Sequence, residues 1–218
     1  MKLGILGGTF DPVHLGHLRM ALEAAEDLGL DRVDLVPAAV PPHREAKPGA
    51  SFADRLAMVR MGIKGVPLLG ALDLEGRRKG ASYTITTLKE LHREHSGDLD
   101  LYFVIGTDAF LEIRTWKDHR SLFDYAHFVL MDRPGVRSEA LKAFLDSLDV
   151  PLEPLGADVY RVGNGRNRLF RRTGTFLDIS STRVRETVGR GKSIRFLVPA
   201  EVERFIMEKG LYRTHGES

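Results

Sequence analysis

The chain has 218 residues, enough for one α/β domain with a substantial core. Hydrophobic residues make up 43% of it and charged residues 28%, which is ordinary for a soluble globular protein. The absence of cysteine excludes disulfides and thiolate metal sites, and a net charge of +2 does not demand a nucleic-acid partner. No apolar run approaches the roughly 20 residues that span a bilayer, and no signal peptide precedes the first strand. We therefore expect a cytoplasmic protein that binds neither membranes nor nucleic acids.

The N-terminal stretch predicts an anion-binding turn. Residues 2–6 form a short apolar run typical of a buried parallel strand, and residues 7–17 read GGTFDPVHLGH. Apolar residues then recur at helical spacing as far as Gly29, a suitable C-terminal cap. The two adjacent glycines allow a tight turn that brings backbone N–H groups close to a ligand. A strand, a turn and a helix N-terminus in succession favour the binding of an anion.

Two histidines sharpen this prediction. His14 and His17 are three residues apart in the first helical turn, so we expect both on one face, beside the positive end of the helix dipole. Contact with phosphate oxygens is the favoured interpretation, and a zinc pair or capping histidines are the alternatives. The metalloprotease, dinucleotide-binding and Walker A patterns are all absent from the stretch.

Residues 7–17 resemble the signature of the nucleotidyltransferase superfamily with its HxGH motif, and the chain is similar to the bacterial nicotinate-nucleotide adenylyltransferase family. That family transfers AMP from ATP to nicotinate mononucleotide, giving deamido-NAD and pyrophosphate. The resemblance implies a Rossmann-like α/β fold with a doubly wound, mostly parallel sheet and helices on both faces. It also implies one domain over residues 1–218, with residues 176–218 helical, and Mg²⁺ as the cofactor that accompanies ATP.

Residues 33–37 predict a second strand, and the prolines of the following PPHR segment, residues 41–44, predict an extended loop at the carboxyl edge of the sheet. Composition alone leaves a rigid surface loop equally open. The resemblance implies that His43 and Arg44 reach substrate phosphates. The family often has lysine at the position of Arg44, which carries the same charge with a different geometry. We predict a structural helix after Ser51 and assign Arg55 no role.

Residues 68–72 predict a third strand, and the basic stretch over residues 76–80 is best interpreted as a solvated turn. The segment Ser82-Tyr83-Thr84 then opens a helix, which the residues alone explain as an N-cap. The resemblance implies that this segment holds the nicotinate carboxylate through backbone N–H groups, a sensible role for a helix start.

Residues 101–105 predict a central buried strand ending in Gly106 and Asp108. The resemblance implies nucleotide contacts for both, and a helix N-cap is an alternative for Asp108. Trp116 is the only tryptophan, and a lone tryptophan is more often core than ligand platform. The resemblance implies that it stacks on the pyridine ring and that Lys117 adds a backbone N–H.

Later segments predict a strand over residues 125–131, in which His127 is a hydrogen-bonded structural residue, and a helix over residues 138–148. The arginine-rich residues 161–172 depart from the family pattern, and we interpret them as a solvated hairpin or an oligomer contact. Residues 179–185, ISSTRVR, resemble the superfamily's ISSTxxR motif at another helix start, which implies binding of the ATP phosphates. A plain N-cap is the alternative.

The complete predicted site has three parts. The predicted catalytic residues are His14, His17, Arg44 and Arg185. The predicted ATP-binding residues are Gly7, Gly8, Thr9, Phe10, His14, His17, Gly106, Asp108, Ile179, Ser180, Ser181 and Arg185. The predicted mononucleotide-binding residues are His43, Arg44, Thr84, Trp116 and Lys117, and no residue is assigned as a metal ligand. Two other functions stay open: an adenylyltransferase acting on nicotinamide mononucleotide or phosphopantetheine, and an RNA-binding module with a vestigial nucleotide fold. A homo-oligomer is compatible with either.

Overall fold

The protein is described here by a computed structural model that covers residues 1–41, 48–95, 99–132, 138–175 and 177–213. Eight strands form one sheet: β1 Lys2–Gly8, β2 Arg32–Pro37, β3 Leu69–Ala71, β4 Asp100–Gly106, β5 His127–Met131, β6 Leu152–Gly156, β7 Val159–Val162 and β8 Arg168–Arg172. Eight α-helices surround it: α1 Leu15–Leu28, α2 Phe52–Gly62, α3 Thr84–Glu94, α4 Thr107–Phe110, α5 His119–Tyr125, α6 Ser138–Asp146, α7 Ser181–Gly189 and α8 Ala200–Lys209.

The sheet order is β3-β2-β1-β4-β5-β8-β7-β6, and the first six strands of that order run parallel. The chain winds outward from β1 in one direction through β2 and β3, and in the other through β4 and β5. The order therefore reverses between β1 and β4, and a crevice opens beyond the carboxyl ends of these two strands. Such a switch point is where open α/β sheets bind ligands.

Apolar clusters cover both faces of the sheet, which confirms the predicted doubly wound α/β fold. One cluster packs α1, α2, α7 and α8 on one face, and the other packs α3, α5 and α6 on the opposite face. The predicted stripe of α3, namely Ile85, Leu88 and Leu91, is at most 2% exposed. Within the described ranges, every helix is too short or too polar for a bilayer span.

Several local predictions are also confirmed. Gly29 ends α1 in the left-handed conformation, with φ of 57°, as predicted, and Gly210 ends α8 in the same way, with φ of 63°. His127 is a structural strand residue: its Nε2 lies 2.9 Å from Asp100 Oδ1, and its Nδ1 accepts from the Arg168 N–H. The arginine-rich segment forms the predicted hairpin, from antiparallel β7 and β8, but the hairpin is not solvated throughout, because β8 also pairs with β5 and Leu169 is 0% exposed.

One local interpretation is wrong. The stretch over residues 76–80 is not a solvated turn throughout, because a 3-10 helix covers Leu74–Arg77 and the side chain of Arg78 is only 16% exposed. Arg78 donates to Thr87 Oγ1 at 2.7 Å and to Glu90 Oε2 at 2.9 Å, both on α3. Its partners lie on an element that follows later in the chain, so composition over five residues could not reveal them.

Candidate active site

A cleft of about 410 Å³ opens at the carboxyl ends of β1, β2 and β4, where the sheet order reverses. Nine of the predicted site residues line it: Gly7, Gly8, Thr9, His17, Thr84, Gly106, Asp108, Trp116 and Lys117. Residues that the sequence did not single out line it as well, among them Met20, Glu75 and Phe103. His43 and Arg44 lie outside the described residues.

The turn after β1 is held by a buried aromatic ring. Phe10 is 1% exposed and adopts φ of 50°, a left-handed conformation that costs a residue with a side chain about 1–2 kcal/mol. Its ring lies under Gly8, where an added Cβ would come within 3.1 Å of it, and meets the His17 ring edge-on at 5.0 Å. Phe10 was predicted to bind ATP, but its side chain supports His17 and does not line the cleft.

The structure separates the roles of the two histidines. The helix begins at Leu15, so His14 is its N-cap with extended backbone, and His17 occupies the third helical position. His14 is 2% exposed, whereas His17 lines the cleft, and their rings stack with centroids 3.6 Å apart. The two stacked rings share one helix face, as expected, and His17 is the ring that lines the cleft. His14 also fits the alternative of a capping histidine, and its contact with phosphate stays a prediction.

A backbone hydrogen bond fixes the proton on His17. The His14 N–H donates to His17 Nδ1 at 3.3 Å, so this nitrogen carries a lone pair. A neutral His17 therefore carries its hydrogen on Nε2. The first N–H of α1 is already occupied, since Leu15 donates to the Leu197 carbonyl at 3.0 Å. Any phosphate beside this helix start consequently depends on the His17 ring more than on the first backbone amide.

The glycine between the histidines leaves space for the His14 ring. A Cβ built on Gly16 would lie 3.1 Å from His14 Nδ1 and 3.5 Å from the Leu177 carbonyl oxygen. The segment that leads into α7 therefore approaches the HxGH turn closely at this point. Gly16 is required here for close approach, and not for an unusual backbone conformation.

Asp11 connects the turn to three distant segments. It is 1% exposed and accepts hydrogen bonds from the N–H groups of Gly49 and Ala50 at 2.8 and 3.0 Å and from the Tyr212 hydroxyl at 2.8 Å. Arg185 Nη1 lies 3.7 Å from Asp11 Oδ2 and donates to the Asp11 carbonyl at 2.7 Å. Burial, with Asp11 beside it, raises the pKa of the Tyr212 hydroxyl well above its usual range, so Tyr212 remains a donor.

The start of α7 docks on the same turn. Ser180 caps the helix by accepting from the Arg183 N–H at 3.1 Å, and Ser181 donates from its hydroxyl to the Pro12 carbonyl at 2.9 Å. Arg185 reaches Asp11 one turn later. The predicted residues Ile179, Ser180, Ser181 and Arg185 thus adjoin the HxGH turn, although they do not line the 410 Å³ cleft itself. Two helix N-termini meet at residues 11–14, which concentrates positive potential there.

The opposite wall is aromatic and includes the start of α3. Trp116 meets Phe103 edge-on at 6.0 Å, and the Lys117 ammonium lies 4.6 Å from the centre of the Tyr83 ring. The Ser82 hydroxyl accepts from the N–H groups of Ala39 and Val40 at 2.9 and 3.1 Å. Ser82 therefore fastens the loop after β2 to the segment that opens α3, and Thr84 begins the helix facing the cleft.

The end of β4 forms the floor of the cleft. Gly106 is the N-cap of α4, with φ of −71° and ψ of 147°, so Asp108 sits in the first turn and is not the cap. Asp108 is exposed and lines the cleft. It is the only carboxylate at this strand end that the sequence singled out, and it faces the same space as Thr9 and His17.

Sequence reasoning missed a buried arginine behind the site. Arg55 is 1% exposed and donates from Nη1 to the Thr9 carbonyl at 2.5 Å and from Nε to the Ala50 carbonyl at 3.3 Å. It therefore supports the turn whose residues Gly7, Gly8 and Thr9 line the cleft. Its helix shows a weak amphipathic pattern, with an arginine among the buried positions, so spacing within the segment gave no signal.

The carboxylates at the cleft fit a magnesium ion that is held mainly by its nucleotide. Among the described residues, no group of three or more His, Asp or Glu side chains could enclose a metal. Mg²⁺ that accompanies a nucleotide normally takes only one or two protein carboxylates beside phosphate oxygens and water. Asp108, an exposed carboxylate that lines the cleft, fits this role.

Comparisons with known proteins agree with this architecture. Residues 5–187 match the family model described as Cytidylyltransferase-like. Two proteins named "Probable nicotinate-nucleotide adenylyltransferase" are similar over almost their whole length. The one from Desulfatibacillum aliphaticivorans is 47% identical, covering 97% of this chain and 100% of the relative. The one from Trichlorobacter lovleyi is 43% identical, covering 98% and 100%.

A solved structure shares the fold. Plasmodium falciparum nicotinic acid mononucleotide adenylyltransferase complexed with NaAD superposes with a TM-score of 0.74 over 97% of each chain, at 17% identity. At that identity the likeness concerns the fold alone, whereas the two bacterial relatives match almost end to end at more than twice the identity. The chain therefore belongs to the nicotinate-nucleotide adenylyltransferase family of nucleotidyltransferases.

Proposed function

We propose that this cleft joins ATP and nicotinate mononucleotide to give deamido-NAD and pyrophosphate, a step of NAD biosynthesis. The observation that carries the proposal is a single cleft at the sheet's switch point with two chemically different walls. One wall offers His17 and the turn after β1, which suit phosphates, and the other offers Trp116 beside the start of α3, which suits an aromatic acid. The names of the close relatives support this assignment.

The reaction requires positioning more than covalent help from the protein. A phosphate oxygen of the mononucleotide attacks the α-phosphorus of ATP in line with the bond to the bridging oxygen. The new P–O bond forms as the α–β bridge breaks, and pyrophosphate leaves with the bonding pair. The attacking phosphate is already ionised, so no general base is needed. The protein must bring two mutually repelling anions together and stabilise the charge that grows on pyrophosphate.

His17 is the side chain best placed for that stabilisation. Its Nδ1 is committed to the His14 N–H, so its Nε2–H is the hydrogen that the ring offers to a phosphate oxygen in the cleft. The stacked His14 ring and the edge of Phe10 hold the imidazole in one orientation. We assign His17 to the phosphates of ATP and His14 to the positioning of His17.

The α7 start is assigned to the outer phosphates. Ser180, Ser181 and Arg185 adjoin the HxGH turn, and Arg185 is anchored to Asp11 with its side chain 25% exposed. Hydroxyls, helix N–H groups and one cation together suit a polyphosphate. Asp108 is a carboxylate at the cleft that would hold Mg²⁺, and the ion would supply positive charge to offset the charge that grows on the leaving group.

The acid end of the mononucleotide is assigned to α3. The first N–H groups of that helix precede its first hydrogen bonds, which Thr86 and Thr87 donate to the Tyr83 carbonyl. They can therefore donate hydrogen bonds to a carboxylate at the positive end of the helix dipole. Trp116 offers its face to the electron-poor pyridinium ring. The Trp116 face favours a pyridine substrate, and the helix start favours nicotinate over nicotinamide.

The test is a pyrophosphate-release assay with ATP and either nicotinate or nicotinamide mononucleotide, with and without Mg²⁺. The proposal predicts stoichiometric deamido-NAD and pyrophosphate with nicotinate mononucleotide and Mg²⁺. It also predicts a lower kcat/KM for the amide and loss of the reaction when the metal is chelated. A higher kcat/KM for the amide, or no product from either mononucleotide, would contradict it.

A further inference from the structure

Glu75 is a buried carboxylate in the cleft that the proposed chemistry has not used. It lies in the 3-10 helix Leu74–Arg77, which follows β3 and packs beneath the start of α3. The residue is 7% exposed and lines the cleft together with Thr84 and Trp116. It is thus at the mononucleotide end, away from the HxGH turn.

The two oxygens of this carboxylate have different surroundings. Oε1 accepts from the Thr87 hydroxyl at 2.6 Å and lies 3.4 Å from Arg78 Nη2. Arg78 in turn donates to Thr87 and to Glu90, so Oε1 is one member of a closed network on α3. This network holds the carboxylate in a single orientation.

Oε2 is buried, and among the described residues no donor lies within hydrogen-bond distance of it. An unpartnered oxygen on a buried carboxylate is costly in a folded protein, because the oxygen gives up its hydration and gains nothing in return. The cost is recovered if the occupant of the cleft supplies a donor. Because Oε1 is already satisfied, Oε2 is the oxygen of this cleft-lining carboxylate that remains for a donor on a bound ligand.

The chemistry of nicotinate mononucleotide identifies that donor. Its carboxylate and phosphate only accept hydrogen bonds at neutral pH, and its ring nitrogen is bonded to the ribose. The ribose hydroxyls are then its only O–H or N–H donors. We propose that Glu75 Oε2 binds a ribose hydroxyl of the pyridine mononucleotide and so helps to recognise this substrate. The inference rests on the proposed function, since it presumes that this substrate occupies the cleft.

The competing arrangement would place Oε2 against the pyridine carboxylate. Two carboxylates in contact repel each other, and Arg78 is already shared between Glu75 and Glu90. That arrangement would oppose the acid and favour the amide, whose N–H₂ could donate to Oε2. In that arrangement, replacing Glu75 by a neutral residue would raise kcat/KM for nicotinate mononucleotide, whereas in the proposed arrangement it lowers it. One neutral variant therefore separates the two arrangements.

Glu75→Gln is the informative variant. The Thr87 hydroxyl and the Arg78 guanidinium both donate toward the Oε1 position, so the amide oxygen is expected there and the NH₂ faces the cleft. The glutamine NH₂ then lies where Glu75 Oε2 accepted the hydrogen bond of the ribose hydroxyl, so that hydrogen bond is lost. We expect kcat/KM for nicotinate mononucleotide to fall roughly tenfold to a hundredfold, the range for a hydrogen bond to a charged group, with KM for ATP unchanged.

Deoxyribose substrates separate a contact from a general disturbance. With the wild type, either the 2′-deoxy or the 3′-deoxy mononucleotide should lose about the same factor, and with Glu75→Gln that deoxy substrate should lose nothing further. Glu90→Gln is the matched control: it disturbs the same Arg78 but does not line the cleft, and its substrate preference should match the wild type. Melting temperatures verify that each variant folds.

Three results would overturn the inference. The first is a kcat/KM for nicotinate mononucleotide that is unchanged or higher in Glu75→Gln, and the second is a deoxy substrate that still loses the full factor with that variant. The third is a wild-type enzyme whose kcat/KM does not change when either ribose hydroxyl is removed. The last needs no variant, so a folding defect cannot hide it. A wild type that makes no deamido-NAD would instead overturn the proposed function, and the inference with it.

Discussion

Replacing Gly16 by alanine adds one methyl group at the centre of the proposed phosphate site. In the structure that methyl would lie 3.1 Å from His14 Nδ1 and 3.2 Å from its Cε1. Carbon contacts are most favourable at about 3.5–4.0 Å, so the ring must move by about 0.4 Å or more. The His17 ring stacks on it at 3.6 Å and must move too.

The expected effects on stability and on activity have different sizes. Alanine is the better helix former by up to about 1 kcal/mol, which offsets the crowding in the first turn of α1. We therefore expect the melting temperature to stay within about 4 °C of the wild type. A 1 Å misplacement can cost about a hundredfold in rate, so a shift of roughly half that size should cost about tenfold in kcat.

The assay is steady-state release of pyrophosphate, with the melting temperature measured alongside. Gly62→Ala is the matched control, because a Cβ at the end of α2 meets ordinary contacts of 3.4–3.6 Å and should leave kcat unchanged. A Gly16→Ala enzyme with wild-type kcat would refute the reasoning that His14 positions His17.

Two further predictions concern stability. Asp11→Asn places an NH₂ group among three hydrogen-bond donors, including the Tyr212 hydroxyl. The free energy of unfolding should therefore fall by about 3 kcal/mol, which thermal melts would show as a melting temperature lower by roughly 6–12 °C. A decrease of less than about 2 °C would contradict the role of this network. Burial lowers the pKa of His127 in the folded protein below the ordinary value of 6.5. The unfolded chain therefore binds a proton at this residue more readily than the folded protein does. The stability that neutral His127 provides is complete above pH 6.5 and is lost as the pH falls through the pKa of the folded protein. His127→Gln, which can still donate to Asp100 and accept from Arg168, should flatten that dependence in denaturant titrations, and an unchanged slope would count against it.

The fold was predictable because its signals are local. Apolar runs such as residues 101–105 and 127–131 form strands of the central sheet, and glycines such as Gly29 and Gly210 end helices in the left-handed conformation. Each of these patterns depends on neighbours within a few residues. Buried strands and capped helices then leave little choice of fold class.

The contacts that organise the site were not predictable in this way. Asp11 accepts hydrogen bonds from residues that lie 38, 39 and 201 positions away in the sequence. The residues adjacent to Asp11 in the sequence do not predict these partners. The burial of Glu75 likewise depends on Thr87 and Arg78, which the basic composition of that stretch concealed. His14 proved to be the N-cap and 2% exposed, because its ring packs against the His17 ring, a contact that spacing alone does not fix.

The most direct test of the central claim is kcat for deamido-NAD formation by the His17→Ala enzyme, measured with saturating ATP and nicotinate mononucleotide. If the Nε2–H of His17 stabilises charge on the ATP phosphates, kcat falls about a hundredfold to a thousandfold while the melting temperature and circular dichroism spectrum stay close to the wild type. A folded His17→Ala enzyme that turns over at nearly the wild-type rate would contradict the account.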